Sequence, residues 1–511
     1  MTARLIRFAG PTGSGLRCAA ALVAVALLGF GGCGGSDSTT ARHRVSEADF
    51  AGLSVEWSPC SLEPGADDGL AECAEVVMPL RWEFPEDPGT FRTAAKRLLS
   101  GGPVVEGQLW LLARGPGDSG TLTLPPAMQG LRDANLGFDV YTLDARGTGG
   151  SEFLGCPDQE AESSDLGPQI SSDELEACIA YLETTYGDRL DVYGTTHAAI
   201  DLAALIHHTR EEGKKVLIWG GSGGTFWAQR YLQFFPDQAD GVIMEGIVAP
   251  DWSVVFHDEY FELITRELLA DCLADEFCSS KLPDPEATLL GLLDKLDQGH
   301  CPQMPFTSDL LLGLISDLNY FHPTKQFVPA LIYRLDRCSF ADVSAIFRFA
   351  DFLYPEPEPA EYSTSSVLFF NEVFSELWEH DSFRNNLDLL DYLDGVYEDI
   401  LFGYGLGYLR NDYYRQWPRY SDPHDDTWAQ SDVPMLLLQG QIDPATPHDF
   451  ALDVAEHFDG PFQHWASFPD SAHNVTFGSP LADGPEAMHC GLELVIAFMQ
   501  DPTGELDLSC I

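Results

Sequence analysis

Short apolar runs alternate with amphipathic segments along much of the chain. The runs that predict β-strands are Val76–Leu80, Gly107–Ala113, Phe138–Leu143, Lys215–Trp219, Gly241–Glu245, Pro434–Gln439 and His464–Phe468. Helical patterns lie between several of them, at Asp173–Tyr186, Ala198–Glu212 and Thr225–Phe235, and Pro236 ends the last one. Strands that alternate with helices predict the α/β class, with a mostly parallel sheet and helices on both of its faces.

The pattern changes between residues 251 and 428, where helical segments and loops rich in Phe, Tyr, Leu and acidic residues replace the strand-like runs. The chain has 511 residues, which is long for a single hydrophobic core. Ligands of open α/β sheets bind outside the carboxyl ends of the strands. We therefore interpret 251–428 as a large, mainly helical cap (lid) insertion that divides one core into a first part, 50–250, and a second part, 429–511.

The first 33 residues have the features of an export signal. Three arginines precede an apolar run from Cys18 to Phe30, which is too short to span a bilayer comfortably, and small residues flank Cys33. The arrangement resembles a bacterial lipoprotein signal, in which Cys33 becomes the lipidated first residue, although Phe30 stands where Leu is usual. A plain cleaved signal with an incidental Cys is the alternative. Residues 34–49 are small and polar, and they predict a flexible tether.

Cysteine usage also indicates export, because the region after the signal keeps an even number of cysteines in near-neighbour groups. The ten are Cys60, Cys73, Cys156, Cys178, Cys272, Cys278, Cys301, Cys338, Cys490 and Cys510. Five local disulfides are expected, and nearest-neighbour pairing is the simplest of the schemes that the sequence leaves open. No CxxC pair or Cys/His cluster has the spacing of a zinc site, so we expect no metal and no cofactor.

Acidic residues far outnumber basic ones, with 80 Asp and Glu against 28 Lys and Arg, and the formal net charge is −52. Such a field repels nucleic acid and anionic membrane surfaces, so we expect no nucleic-acid partner and membrane contact only through a lipid anchor. The charge is either a solvated surface suited to a salty exterior or an attraction for cationic substrates such as free peptide N-termini. The sequence does not fix the oligomeric state.

The strongest local motif is Gly-Gly-Ser-Gly-Gly at 220–224, which follows the apolar run Lys215–Trp219 and precedes a helical pattern. A G-x-S-x-G sequence between a strand and a helix is typical of a nucleophile elbow, in which glycines permit a tight, strained turn. Ser222 would then project at the end of the strand, beside the positive end of the helix. A glycine-rich turn without function is the alternative, and the strand and helix on either side argue against it.

A serine hydroxyl needs a base that is itself held by an acid. In folds with this elbow the acid and the base follow the serine in that order. Asp443 comes directly after an apolar strand-like run, and His473 comes after the next one, His464–Phe468. Their order and their positions at strand ends predict Asp443 as the orienting acid and His473 as the general base.

An oxyanion intermediate needs two backbone N–H donors, one from the residue after the nucleophile and one from a loop after an earlier strand. Gly223 supplies the first. The run Gly107–Ala113 leads into Arg114-Gly115-Pro116-Gly117, a glycine-rich turn that can bring the N–H of Gly115 to the site. A generic Gly-Pro-Gly turn without a role in the site is the alternative for this segment.

These motifs together resemble the tripeptidyl aminopeptidase and prolyl aminopeptidase group of α/β-hydrolases, and more specifically its secreted tripeptidyl-aminopeptidase-like members. The motifs are RGPGDSG at 114–120, DARGTGGS at 144–151, GGSGGT at 220–225, QIDPATP at 441–447 and SAH at 471–473. The match spans most of 55–250 and 430–511 and is weak in the cap. It implies an α/β-hydrolase fold with Ser222, Asp443 and His473 as the catalytic triad, and Asp144 and Arg146 as a structural pair that braces the core.

Two departures from the family bear on substrate preference. Arg114 stands at the expected oxyanion loop where the family has Gly, and the cap segment VLFFNE at 367–372 has Phe370 and Glu372 where the family has a Cys and an Asp. Glu245, at a place where the family often has Asp, is predicted near the mouth of the site, where it would pair with a substrate ammonium. A carboxylate bound to local backbone N–H groups is the alternative.

The resemblance implies a serine exopeptidase that releases short N-terminal fragments from peptides through an acyl-enzyme. Two other functions remain open. An esterase or amidase that acts on small acyl substrates would use the same triad. A catalytically inactive binding protein with the same fold is the third interpretation, and the complete triad argues against it.

Overall fold

A computed structural model describes residues 42–113, 115–161, 163–164, 167, 169–304, 306–320, 322–353, 363–378, 413–425, 427–481 and 488–511. The expected signal 1–33, with Cys33, lies outside the described residues, and so does Arg114. The described part of the chain contains one sheet of nine strands. They are β1 Ser58–Cys60, β2 Ala71–Pro79, β3 Thr90–Leu98, β4 Gly107–Leu112, β5 Phe138–Leu143, β6 Lys215–Gly221, β7 Gly241–Glu245, β8 Met435–Gly440 and β9 Gln463–Phe468.

The strand order is β1-β2-β3-β5-β4-β6-β7-β8-β9. Strands β1 to β3 pair antiparallel, and β3 joins β5 antiparallel. From β5 to β9 every pairing is parallel. Every residue of β4, β7 and β8 is buried, as expected for parallel strands that are covered on both faces. The predicted class, a mostly parallel α/β sheet of the α/β-hydrolase fold, is therefore confirmed.

Helices connect the strands and fill the described part of the insertion. In chain order they are α1 Gly120–Thr123, α2 Pro125–Asp133, α3 Leu175–Thr185, α4 Thr195–Thr209, α5 Gly223–Phe234, α6 His257–Ala274, α7 Glu276–Lys281, α8 Pro285–Asp297, α9 Ser308–Asn319, α10 His322–Lys325, α11 Val328–Arg337, α12 Phe340–Leu353, α13 Ser366–Glu372, α14 His448–His457 and α15 Cys490–Gln500. Short 3-10 helices span Glu47–Phe50, Leu190–Tyr193 and Val254–Phe256, and a π-helical turn spans Val373–Leu377.

All seven predicted strands are present, whereas β1 and β3 were not predicted. Strand β3 reads TFRTAAKRL, and its three basic residues conceal its buried positions from a search for apolar runs. Lys96 is one of those buried positions, and its ammonium donates to the carbonyl oxygens of Leu62 and Thr121 at 2.7 Å each. These carbonyl acceptors, which come from other segments of the chain, satisfy a charge that the sequence pattern alone would place in solvent.

The insertion packs in two parts. Helices α6, α8, α9, α11 and α12 surround an apolar cluster of their own, which includes Leu289, Ile315 and Ile332. Helix α13 and the π-helical turn instead pack against residues from the first part of the core, in a cluster that includes Leu154 and Tyr193. No helix among the described residues is both long and apolar enough to cross a membrane.

The packed structure begins before Phe50, within the segment that the sequence predicts as a tether. Val45 is buried, and the fully buried ring of Phe50 lies 5.1 Å, centroid to centroid, from that of Trp82. The imidazole of His208 lies 2.7 Å from the carbonyl oxygen of Phe50. Residues 42–49 therefore belong to the folded unit, because two apolar side chains among small polar neighbours are enough to fix this segment.

Five disulfides join cysteines that are nearest neighbours in sequence. They are Cys60–Cys73, Cys156–Cys178, Cys272–Cys278, Cys301–Cys338 and Cys490–Cys510. Two of them lie in the insertion, and the last ties the C-terminal segment to α15. This number of disulfides is typical of a protein that folds in an oxidising compartment outside the cytosol.

Asp144 and Arg146 brace the core through separate partners and not through each other. The guanidinium of Arg146 pairs with Asp201 at 2.7 Å, and both side chains are almost fully buried. Asp144 accepts hydrogen bonds from Ser119 and Thr121 at 2.7 to 2.8 Å. The two side chains thus brace different parts of the core, and the partner of Arg146 comes from α4.

Candidate active site

Ser222 lies at the junction of β6 and α5, as the elbow motif predicts. Its backbone has φ 55° and ψ −127°, a conformation that residues other than glycine rarely adopt. The turn brings strand and helix so close that a Cβ on Gly220 would lie 2.3 Å from the carbonyl oxygen of Gly224. The glycines are therefore required by contact distance, and the half-buried Ser222 stands at the N-terminus of α5.

Asp443 and His473 are in direct contact, although 30 positions separate them in sequence. The Nδ1 atom of His473 lies 2.8 Å from Oδ2 of Asp443. Asp443 is buried after β8, where its carboxylate also accepts the N–H groups of Ala445 and Thr446 at 2.9 and 3.0 Å. Burial raises the pKa of Asp443, but the charge and hydrogen bond of His473, with those of Thr446, outweigh it and hold the pKa below its ordinary value.

The segment Glu245–Gly246 brings Ser222 and His473 to the same place. The N–H of Ser222 donates to the carbonyl oxygen of Glu245 at 2.9 Å. Gly246 has φ 61°, and a Cβ there would lie 2.9 Å from Cε1 of the His473 ring. One two-residue segment thus contacts Ser222 on one side and the His473 imidazole on the other. All three predicted triad residues follow the carboxyl ends of parallel strands, β6, β8 and β9.

The two predicted oxyanion residues are also adjacent. A Cβ on Gly223 would lie 2.5 Å from the carbonyl oxygen of Gly115 and 3.0 Å from the nitrogen of Pro116. The loop that carries Gly115 is held by the insertion, since the N–H of Ser365 donates to the carbonyl oxygen of Gly117 at 2.9 Å. Only glycine at 223 allows this loop to pack against the start of α5.

Glu245 does not lie at the mouth of a site. Its side chain is 1% exposed, and its carboxylate accepts the N–H of Thr476 at 3.0 Å and the hydroxyl of Thr476 at 2.8 Å. The prediction that Glu245 lies near the mouth of the site, where it would pair with a substrate ammonium, was wrong, because the loop after His473 folds over the end of β7. The alternative, a carboxylate bound to local backbone N–H groups, does not describe these contacts either, because Thr476 is 231 positions away in sequence.

A different carboxylate, Glu372 of α13, lines a pocket beside the oxyanion loop. The pocket has about 390 Å³ of empty space, including the part that is open to solvent. Its lining residues are Ala113, Pro116, Gly117, Asp118, Ala145, Thr195, Ala198, Gly223, Phe226, Trp227 and Glu372. Glu372 is 7% exposed, and its carboxylate has no hydrogen-bond partner within the described part of the chain. The pocket thus combines an apolar wall with one buried carboxylate.

A cluster of charged side chains lies behind Glu372. Arg230 of α5 is buried and contacts Glu376 at 3.6 Å, Asp422 at 3.2 Å and Asp425 at 2.7 Å. Glu372 is the fourth carboxylate that this guanidinium influences. Burial and then the charge of Glu376 raise the pKa of Glu372 well above its ordinary value, and Arg230 offsets only part of that rise.

Three residues at the triad were not identified from the sequence. The hydroxyl of Thr446 lies 2.7 Å from Oδ2 of Asp443 and 3.2 Å from Nδ1 of His473. The amide of Gln439 donates to Oδ2 of Asp443 at 3.1 Å, and the carbonyl oxygen of Tyr320, from the insertion, accepts the N–H of His473 at 2.9 Å. The spacing Asp-Pro-Ala-Thr is a turn signal that points to Thr446, whereas Gln439 and Tyr320 carry no local signal.

The arrangement can carry out acyl transfer by a serine nucleophile. We expect Ser222→Ala to abolish covalent labelling by a fluorophosphonate probe and to lower turnover of a p-nitrophenyl ester by about four to six orders of magnitude. Asp443→Asn should lower turnover of the same ester by about 10⁴-fold, because the amide would favour the wrong imidazole tautomer. Labelling and turnover rates of folded protein measure both effects. Near-normal turnover by Ser222→Ala would rule out this triad.

Residues 410–479 match the family model described as TAP-like protein. Among solved structures, the chain is similar to Candida antarctica lipase A in its closed state, at 12% identity with 89% of this chain and 83% of that one covered and a TM-score of 0.35. It is also similar to acetyl xylan esterase 1 from Thermoanaerobacterium sp. JW/SL YS485, at 12% identity, 89% and 88% coverage and a TM-score of 0.34. No curated protein matches the sequence. The chain has the α/β-hydrolase fold described above, and its residues 410–479 match the TAP-like family model.

Proposed function

We propose that the protein is an exported serine peptidase that removes short N-terminal fragments from peptides. The contact between Asp443 and His473, and the Glu245–Gly246 segment that touches both Ser222 and His473, support hydrolysis through an acyl-enzyme. The observation that carries the peptide specificity is Glu372, a buried carboxylate to which no group in the described part of the chain donates a hydrogen bond, in the pocket that Gly223 also lines.

In the proposed reaction the Ser222 hydroxyl attacks the scissile carbonyl while His473 takes its proton. Asp443 orients the imidazole through the 2.8 Å contact at Nδ1. The N–H of Gly223, with that of Gly115 as the second donor, stabilises the oxyanion. His473 then gives the proton to the departing amine. In the second half, water attacks the acyl carbonyl while His473 takes its proton, and His473 returns that proton to the Ser222 oxygen as the acid product leaves.

The charge of the cluster supports a cationic substrate group at Glu372. With all four carboxylates ionised, Arg230 balances one negative charge, and the remainder disfavours ionised Glu372 in a buried site. A substrate ammonium would bring both the missing hydrogen-bond donors and a second positive charge. A neutral acyl ester would bring neither, and this difference favours a free peptide N-terminus over the esterase or amidase alternative.

Export with a lipid anchor at Cys33 is part of the proposal. The five disulfides support folding outside the cytosol. The sequence around Cys33 supports lipidation, which would hold the folded domain at a membrane through a polar segment. Peptides are then the substrates that this compartment offers to the pocket.

The first prediction concerns N-terminal recognition. We expect Glu372→Gln to lower kcat/KM for a free-amine peptide by about 10²-fold, because a charge-assisted contact is lost, and to leave an N-acetylated peptide within about two-fold. Steady-state kinetics on the matched pair of peptides measures both. Glu160→Gln is the control, since Glu160 is a partly buried carboxylate whose pKa is also raised, and it is bound by the N–H of Cys156 outside the pocket lining. Equal efficiency of the unaltered enzyme on both peptides would favour an esterase or endopeptidase.

The second prediction concerns pH. Because the pKa of Glu372 is raised, the free enzyme holds a proton there that a bound ammonium must displace. The KM for a free-amine peptide should therefore fall as pH rises from about 5 to 7.5, below the pKa of the substrate's own amine. Binding should release a proton, which calorimetry in buffers of different ionisation enthalpy detects. In Glu372→Gln both effects should vanish, and an unchanged slope in that variant would contradict the assignment.

The third prediction concerns the anchor. If Cys33 is lipidated, the mature protein should partition with membranes, and Cys33→Ser should release it or leave it unprocessed. Fractionation of cells that express each form, followed by detection of the folded domain, measures this. Soluble mature protein from the unaltered sequence would show that the signal is a plain cleaved one.

A further inference from the structure

Glu245 occupies a central position among the strands that carry the triad. It is the last residue of β7, which pairs with β6 on one side and with β8 on the other. The nucleophile follows β6, and the acid follows β8. The main-chain carbonyl of Glu245 accepts the N–H of Ser222 at 2.9 Å, so this residue directly supports the strained backbone of the nucleophile.

The loop that carries His473 has to cross the sheet to reach the nucleophile. It starts from β9, which is three strand spacings, about 14 Å, from β6. The side chain of Glu245 lies between these two strands and binds this loop at Thr476, which donates its N–H at 3.0 Å and its hydroxyl at 2.8 Å. Both residues are buried, so water does not compete for these hydrogen bonds.

The next residue completes the link. Gly246 packs against the His473 ring so closely that a Cβ would lie 2.9 Å from Cε1 and 3.0 Å from Nδ1. The Glu245–Gly246 segment therefore holds the nucleophile through its main chain, contacts the imidazole at Gly246 and fixes the histidine loop through the carboxylate. Its exposure of 1% leaves no room for a substrate group at Glu245.

We infer that Glu245 is a positioning residue for catalysis, which sets the distance between Ser222 and His473 through its bond to Thr476. The inference rests on the proposed serine triad but not on the proposed role of Glu372. An error of about 1 Å in such a distance can cost about 10²-fold in rate. The carboxylate is needed because two donors from one residue converge on it, and an amide offers only one acceptor oxygen to them.

The test compares Glu245→Gln, Thr476→Val and Thr476→Ser in the mature exported chain. We expect Glu245→Gln and Thr476→Val to lower both the rate of fluorophosphonate labelling and kcat for a p-nitrophenyl ester by about 10- to 100-fold, with KM within about two-fold. Thr476→Ser keeps the hydroxyl donor and should restore most of the rate. Thr142→Val is the matched control, because Thr142 is a buried threonine that donates to a strand carbonyl away from the triad, and its kcat should be unchanged.

Several results would overturn the inference. The first is a Glu245→Gln variant whose labelling rate and kcat both stay within two-fold of those of the unaltered enzyme. If that variant does not fold, the Thr476 variants decide instead, and equal labelling rates and equal kcat for Thr476→Val and Thr476→Ser would also overturn the inference. A rise in KM confined to free-amine peptides would instead return Glu245 to substrate binding. Failure of the proposed function is distinct, because it appears as labelling of Ser222→Ala or as equal use of free and blocked peptides.

Discussion

The backbone of Ser222 is the constraint on which the rest of the site depends. A non-glycine residue at φ 55° and ψ −127° costs about 1 to 3 kcal/mol, and it persists only where its surroundings hold it. Here a buried parallel strand fixes one side, α5 fixes the other, and the carbonyl of Glu245 accepts the Ser222 N–H. The close contacts at Gly220 and Gly223 follow from this turn, and so does the position of the oxyanion loop.

The insertion takes part in forming the site as well as covering it. Its segment before α13 pairs with the oxyanion loop through hydrogen bonds from Ser365 to Gly117 and from Ser119 to Ser363. The end of α9 leads to Tyr320, whose carbonyl accepts the N–H of His473. The insertion thus contacts both the loop that carries Gly115 and the loop that carries His473. Changes in its packing are expected to alter catalytic geometry as well as substrate access.

Local and global charge have different consequences in this protein. The net charge of −52 is spread over the chain, and salt screens exposed charges beyond about 8 to 10 Å. The carboxylates around Arg230 are buried or nearly so, and they act at short range where screening is weak. Selectivity for a cationic group is therefore expected to depend on Glu372 and its neighbours, while the overall charge affects encounter with substrate.

The sequence by itself determined the features that contiguous residues encode. The elbow, the strand-end positions of Asp443 and His473 and all six strands of the parallel part of the sheet were predicted, because apolar runs and glycine turns are local signals. Only the tertiary structure decided which of the two carboxylates, Glu245 or Glu372, lines the pocket. Glu245 and Glu372 both end a strand or helix in sequence, but the loop after His473 buries the first, and the packing of α13 brings the second to the pocket. Contacts between such distant segments depend on packing, which no local pattern records.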